Sequence, residues 1–189
     1  MRPTTRSSIS SINLLATVVS STPFPVWSWW DAIPPAVVNT TSDAILTSTA
    51  YGLDAPKIMP INSTSWDWWY FDVVSEDVQS SAVVIFFTAP ETGFVFAQAP
   101  VQDILEASLS LKLPGVSDVI SITNFAEKAT VITVKNGASG DWAGTGFSFE
   151  GSPDLREYTV SINDEKLGVE GSITFHSVHN PTSIFVSAS

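Results

Sequence analysis

Residues 65–75, Ser-Trp-Asp-Trp-Trp-Tyr-Phe-Asp-Val-Val-Ser, constrain the fold of this chain more than any other stretch. They hold Trp66, Trp68 and Trp69, three of the seven tryptophans, with Tyr70 and Phe71 beside them. Aromatic and β-branched residues at this density predict a strand. Strand side chains alternate between faces, so Trp66, Trp68, Tyr70, Asp72 and Val74 share one face and Asp67, Trp69, Phe71 and Val73 the other. Both faces are large and apolar, and neither suits solvent. One needs a core; the other needs a second sheet, a second domain or an apolar ligand. The plain reading is a central core strand. The polar handles of Trp and Tyr also suit a pocket wall.

The rest of the chain supports a β architecture. At 44% hydrophobic and 14% charged, its 189 residues afford a real core and suit one domain plus a tail, or half of something larger. Residues 80–89 contain Val83-Val84-Ile85-Phe86-Phe87, a strand buried on both faces. A turn at 90–93 then leads to residues 94–99, read as the partner strand of a hairpin. Leu105, Ala107, Leu109, Leu111 and Leu113 alternate with Glu106, Ser108, Ser110 and Lys112, which predicts a strand with Glu106 and Lys112 solvated. Short strands follow at 119–125 and 130–135. Residues 136–146 carry four glycines and are read as a loop. Strand patterning resumes at 145–150, at Tyr158, Val160 and Ile162, and at 169–178. About eight or nine closely spaced strands without a convincing helix indicate an antiparallel β-sandwich or barrel. Residues 23–35, with Trp27, Trp29 and Trp30, are too broken by proline for a regular element on this reading.

Several function classes are disfavoured. A net charge of −11, spread along the chain, argues against nucleic acid and anionic membrane as partners. Without cysteine there is no disulfide or thiol chemistry. Arg2, Arg6 and the apolar run 12–19 are parts of a secretory signal peptide, with a disordered leader as the alternative; the run is too short to span a membrane. Residues 1–42 are read as this leader and 43–189 as the β domain. Asn39-Thr40-Thr41 and Asn62-Ser63-Thr64 are glycosylation sequons and favour the secretory pathway or an extracellular location over a cytoplasmic one. His176 and His179 would face opposite sides of a strand, which disfavours a metal site. Gly137-Ala138-Ser139-Gly140 lacks the spacing of a nucleophile elbow, and Gly144-Thr145-Gly146 precedes strand text instead of a helix. Asp67 and Asp72, five apart, point to opposite faces of an ideal strand, which disfavours a glycosidase pair. Asp67 is read as a buried, hydrogen-bonded acid or a strand-end cap. The remaining interior is aromatic and nearly uncharged. It suits an apolar small molecule, or a reaction driven by shape and exclusion of water.

The run 54–75, Asp-Ala-Pro-Lys-Ile-Met-Pro-Ile-Asn-Ser-Thr-Ser-Trp-Asp-Trp-Trp-Tyr-Phe-Asp-Val-Val-Ser, resembles the N-terminal domain of the fungal Diels–Alderase family. Residues 106–113 and 169–178 are similar to the same family, so the resemblance covers roughly residues 43 to 179. It is nearest in kind to the hetero-Diels–Alderases that join a tropolone-derived quinone methide to humulene. The resemblance implies two lipocalin-like β domains with substrate held near their junction, no metal or organic cofactor, and a soluble enzyme of secondary metabolism. No counterpart of the second domain is legible, so a C-terminal domain partner or self-association is expected. Under this reading Trp68 and Tyr70 line the substrate site as wall and donors, with Asp67 and Trp69 of the opposite face next. The assignments exchange if Trp66, Trp68 and Tyr70 form the core. The alternative is a non-catalytic, lipocalin-like binding module or an inactive N-terminal fragment.

Overall fold

A computed structural model describes residues 28–47 and 51–178. Residues 1–27 of the expected leader, and His179, lie outside the described residues. All twelve elements are strands: β1 (Ser28–Ile33), β2 (Asp43–Ala44), β3 (Ile58–Met59), β4 (Asp67–Val74), β5 (Ser81–Thr88), β6 (Glu106–Lys112), β7 (Ile120–Phe125), β8 (Ala129–Val134), β9 (Gly137–Trp142), β10 (Phe147–Gly151), β11 (Glu157–Asp164) and β12 (Val169–His176). They form a six-stranded sheet in the order β1-β8-β9-β10-β11-β12, a four-stranded sheet β4-β5-β6-β7, and the small pair β2-β3. Every pairing is antiparallel. The two large sheets share no hydrogen-bonded strand, so the architecture is an open sandwich and not a closed barrel. No helix of the described residues is long and apolar enough to cross a membrane.

The core lies between the sheets. Trp69, Val84, Phe86, Leu109 and Ile122 from the four-stranded sheet meet Val131, Trp142, Phe147, Phe149 and Val160 from the six-stranded sheet. Alternation on each strand places these residues inward. Trp142 is fully buried, and its Nε1 donates to the Phe87 carbonyl at 3.2 Å, so its one polar atom is satisfied across the sandwich.

Four expectations need correction. Residues 94–99 are not a strand. Phe94 and Ala97 close local turns on the Pro90 and Phe94 carbonyls, each at 3.0 Å, and the partner of β5 on that side is β6. This turn lays Phe94 and Ala97 over Phe87 as a second apolar cluster on the outer face of the sheet. The same covering segment buries Glu106, which is 2% exposed instead of solvated. Glu106 Oε2 accepts the Gln98 N–H at 2.8 Å, and burial raises its pKa. Residues 136–146 are not all loop, because β9 occupies 137–142. Its glycines serve close packing: a Cβ on Gly140 would lie 2.4 Å from the Phe149 ring. Finally, β1 is a regular strand between the prolines, paired along its length with β8 and burying Ile33.

Candidate functional site

The structure decides between the faces of β4. Trp69 is buried and Phe71 packs against the core, whereas Trp66, Trp68 and Tyr70 stand on the outer face. Trp68 remains 37% exposed and Tyr70 47%. Around them lies a continuous aromatic surface. Trp66 stacks on Phe94 with ring centres 4.4 Å apart, and Trp68 meets Phe94 edge-on at 5.2 Å. Tyr70 lies 5.6 Å from Trp68, and Phe96 extends the surface 5.4 Å beyond Phe94. Such distances and angles are those favoured by ring quadrupoles.

β4 is also an edge strand, hydrogen-bonded in its sheet to β5 alone. A cleft of about 280 Å³ opens along this edge, lined by Leu53, Asp54, Trp68, Trp69, Tyr70, Phe71, Leu155 and Tyr158. It brings together Trp68, Trp69 and Tyr70 of the residues singled out from the sequence. Asp67 does not line it. Asp67 Oδ2 accepts the Lys57 and Ile58 N–H groups at 2.5 and 3.2 Å, and Oδ1 accepts that of Trp68 at 2.9 Å. These bonds tie β3 to β4. Burial nonetheless raises the Asp67 pKa against their opposing pull.

Two polar residues of the cleft were not evident from the sequence. Tyr158, on β11, donates its hydroxyl hydrogen to Asp54 Oδ2 at 2.6 Å and accepts the Ala138 N–H at 3.4 Å. Asp54 is held by its backbone as well: its N–H donates to the Asn136 carbonyl at 3.0 Å, and its carbonyl accepts Trp69 Nε1 at 3.1 Å. Gly52, at φ 92°, turns the chain into this position and donates to the Lys135 carbonyl at 2.5 Å. Burial pushes the Asp54 carboxyl up to about 6, although the Tyr158 bond and Lys57 both pull it down. Burial, then the neighbouring Asp54 charge, pushes the Tyr158 phenol above its ordinary range. No spacing rule pairs these residues, which lie 104 positions apart. The available signal was only that Tyr158 occupies an alternating strand and Asp54 opens the aromatic-rich run.

Of the sequons, Asn39 is exposed. Asn62 Nδ2 donates to the Thr40 carbonyl at 3.1 Å, and its Oδ1 accepts the Thr64 N–H and hydroxyl at 2.9 and 3.0 Å. His176 Nδ1 lies 3.2 Å from Glu157 Oε2. Among the described residues no three His, Asp or Glu side chains gather as a metal site.

The fold and the cleft define an all-β sandwich protein with an aromatic-walled pocket on an edge strand. The chain belongs to the Diels-Alderase-like family, whose profile matches residues 26–185. It is 38% identical over 154 residues to the quinolone epoxide rearrangement protein asqO of Emericella nidulans, covering 79% of this chain and 41% of that protein. It is 37% identical over 158 residues to the quinolone epoxide rearrangement protein penF of Penicillium thymicola, covering 78% and 42%. The Diels-Alderase cheD of Chaetomium globosum is 28% identical over 130 residues, covering 68% and 29%. The chain thus spans less than half the length of these relatives. No solved structure matches it.

Proposed function

We propose that this chain supplies the aromatic wall of a site where an apolar intermediate of secondary metabolism is cyclised or rearranged. The observation carrying this reading is the outer face of β4, where Trp66, Trp68 and Tyr70 stand in the open beside a cleft. Holding a flexible substrate against such a wall reduces the entropic cost of reaching the reactive geometry and excludes water. One reaction of this class is the [4+2] cycloaddition of a quinone methide with a terpene such as humulene. The second is the opening and rearrangement of an epoxide, the reaction named for asqO and penF. Asp54 favours the second, because epoxide opening uses a proton donor and a cycloaddition does not require one. In either case a C-terminal domain, or a second copy, would cover the outer aromatic face. The sequons and the Arg-led leader suggest a secretory route for the protein.

The test uses calorimetric titration with an aryl quinolone and with humulene. It adds product analysis from quinone methide plus humulene and from a quinolone epoxide, each with and without the C-terminal part of asqO in trans. Binding that falls at least tenfold in Trp68→Ala and Tyr70→Ala, with product in one assay, is the expected result. Binding insensitive to both substitutions would overturn the placement of the site. Binding without product in any assay would mark a non-catalytic binding module.

A further inference from the structure

We propose that Asp54 is a catalytic acid in the β4-edge cleft, delivering a proton from Oδ1 to an epoxide or carbonyl oxygen of the substrate, with Tyr158 as the residue that positions it. This rests on the reading of the cleft as the site of an apolar substrate.

The geometry divides the roles. The Tyr158 hydroxyl is engaged in both senses, donating to Asp54 Oδ2 and accepting from the Ala138 N–H. It therefore has no second proton to offer and serves as a brace. Oδ2 of Asp54 is occupied by that bond, whereas no hydrogen bond among the described residues engages Oδ1. A proton on Asp54 is best placed on Oδ1, since Oδ2 already accepts one. The backbone bonds of Asp54 to Asn136 and to Trp69 Nε1 fix the carboxyl on sheet edges, which is how a reacting group is kept in register.

The walls suit an apolar molecule with one polar atom. Leu53, Leu155, Trp68, Trp69, Tyr70 and Phe71 surround the pair. Leu155 is held at φ 62°, a left-handed conformation uncommon for a side chain of its kind, in the turn between β10 and β11. That turn is closed by the Leu155 N–H on the Ser152 carbonyl at 3.0 Å. The volume, about 280 Å³, is near the lower end for ligand pockets.

The charged neighbours leave the acid form available. Lys57 directs its Nζ to the Gly52 carbonyl at 2.5 Å, and Asp67 is committed to three backbone N–H groups. The attraction of Lys57 favours the carboxylate and the repulsion of Asp67 opposes it, while burial is the largest influence and favours the acid. The carboxyl is thus protonated below about pH 6.

The chemistry balances without a further reactant. Asp54 gives its proton to the epoxide oxygen as one C–O bond breaks, leaving a cation on carbon beside the ring faces of Trp68 and Tyr70. A hydrogen or aryl group moves with its electron pair from the adjacent carbon to the cation. The O–H electron pair closes the carbonyl, and that proton returns to the Asp54 carboxylate. The product is an isomer of the epoxide.

The test uses the full chain with trans-stilbene oxide and trans-stilbene, a pair differing by one oxygen atom. Affinities are measured by calorimetry between pH 5 and pH 8, and mixtures are analysed for diphenylacetaldehyde and deoxybenzoin. The expected result is that the oxide binds about fivefold more tightly than the hydrocarbon at pH 5, as for one net hydrogen bond. That preference should vanish by pH 8, and carbonyl product should follow the same profile. Asp54→Asn should abolish the pH dependence and slow product formation on the order of a hundredfold. Tyr158→Phe should move the midpoint upward, because it removes a bond that favours the carboxylate. A purely structural Asp54–Tyr158 pair would lower both affinities together at every pH. Oxide binding without pH-dependent preference, or with a preference retained in Asp54→Asn, overturns the proposal and leaves the apolar site standing. Failure of both probes to bind overturns both. Should Asp54→Asn not fold, the ¹³C shift of the wild-type Asp54 carboxyl decides: a midpoint displaced by the oxide and not by stilbene supports the proposal, and an undisplaced one refutes it.

Discussion

The two faces of β4 carry the same kinds of residue and meet opposite fates. On the inner face, Trp69 lies 5.8 Å from Trp142 and 5.6 Å from Phe149, and Phe71 lies 5.4 Å from Phe149. The Trp69 indole N–H is bonded to the Asp54 carbonyl. On the outer face, Trp68 and Tyr70 touch other rings at one side and face open space at the other, and among the described residues the Trp68 indole N–H has no protein acceptor. At 37% and 47% exposed, Trp68 and Tyr70 forgo only part of the roughly 1.5–3 kcal/mol that full burial of a large apolar side chain contributes. The inner rings are explained by the fold. The outer rings pack on Phe87 and Phe94 along one side only, and a surface apolar patch of this kind is what the proposed binding reading draws on.

The comparison breaks most readily at its largest expected effect. Trp69→Ala should cost about 3–5 kcal/mol in denaturant melts, as for other large-to-small core changes. Trp68→Ala should cost within about 1 kcal/mol while weakening ligand binding. Equal losses in the two melts would show that the outer face is also core. Next in size is the pH dependence of stability. Asp54 has a folded pKa raised from 3.8 to about 6, so its contribution is fully present below the unfolded value and is lost as pH rises through the folded one. Between pH 4 and pH 7 this amounts to at most about 3 kcal/mol. Melts should weaken over that window in the wild type and respond less in Asp54→Asn. Buried Asp67 and Glu106 act in the same direction. An unchanged slope in the variant would show that Asp54 is solvated. The smallest effect concerns the rim. In a fungal secretory host, Asn39→Gln should remove a glycosidase-sensitive mass shift. Asn62→Gln should chiefly cost about 0.5–1 kcal/mol, through its lost turn bonds. A glycan on Asn62 alone would reverse that assignment.

The elements legible in the sequence were those whose alternation answers to a single sheet. The strands β6 and β11 fall where the period of two placed them, β4 and β5 where aromatic density and an unbroken apolar run did, and β12 where a return strand was expected. The errors arose where a distant segment supplies the reason for a conformation. Glu106 looked solvated because it shares a strand face with Ser108, Ser110 and Lys112, but the turn carrying Phe94 and Ala97 folds over it. The glycines of β9 looked like loop residues, yet Gly140 leaves room for Phe149, which comes from β10. The site divided in the same way. The aromatic wall is contiguous in sequence and was readable, while its polar end joins Asp54 to a tyrosine on β11 and was not. Which face of β4 is inner depends on which one the six-stranded sheet packs against, and that is a tertiary fact.

The pairing of β1 with β8 has a consequence for how the protein is made. Ser28 to Ile33 find their partners at Ala129 to Val134, roughly 100 residues later. At translation rates of about 5–20 residues per second, β1 waits on the order of 5–20 s for the strand that completes its ladder. During that interval Trp29 and Trp30 are carried on an unpaired strand whose backbone groups can recruit any passing edge. The six-stranded sheet therefore forms late, after β4 to β7 have left the ribosome. Nascent chains halted before β8 should show β1 open to protease while the β4–β5 pairing is already protected. Early protection of β1 would mean that it first adopts another partner.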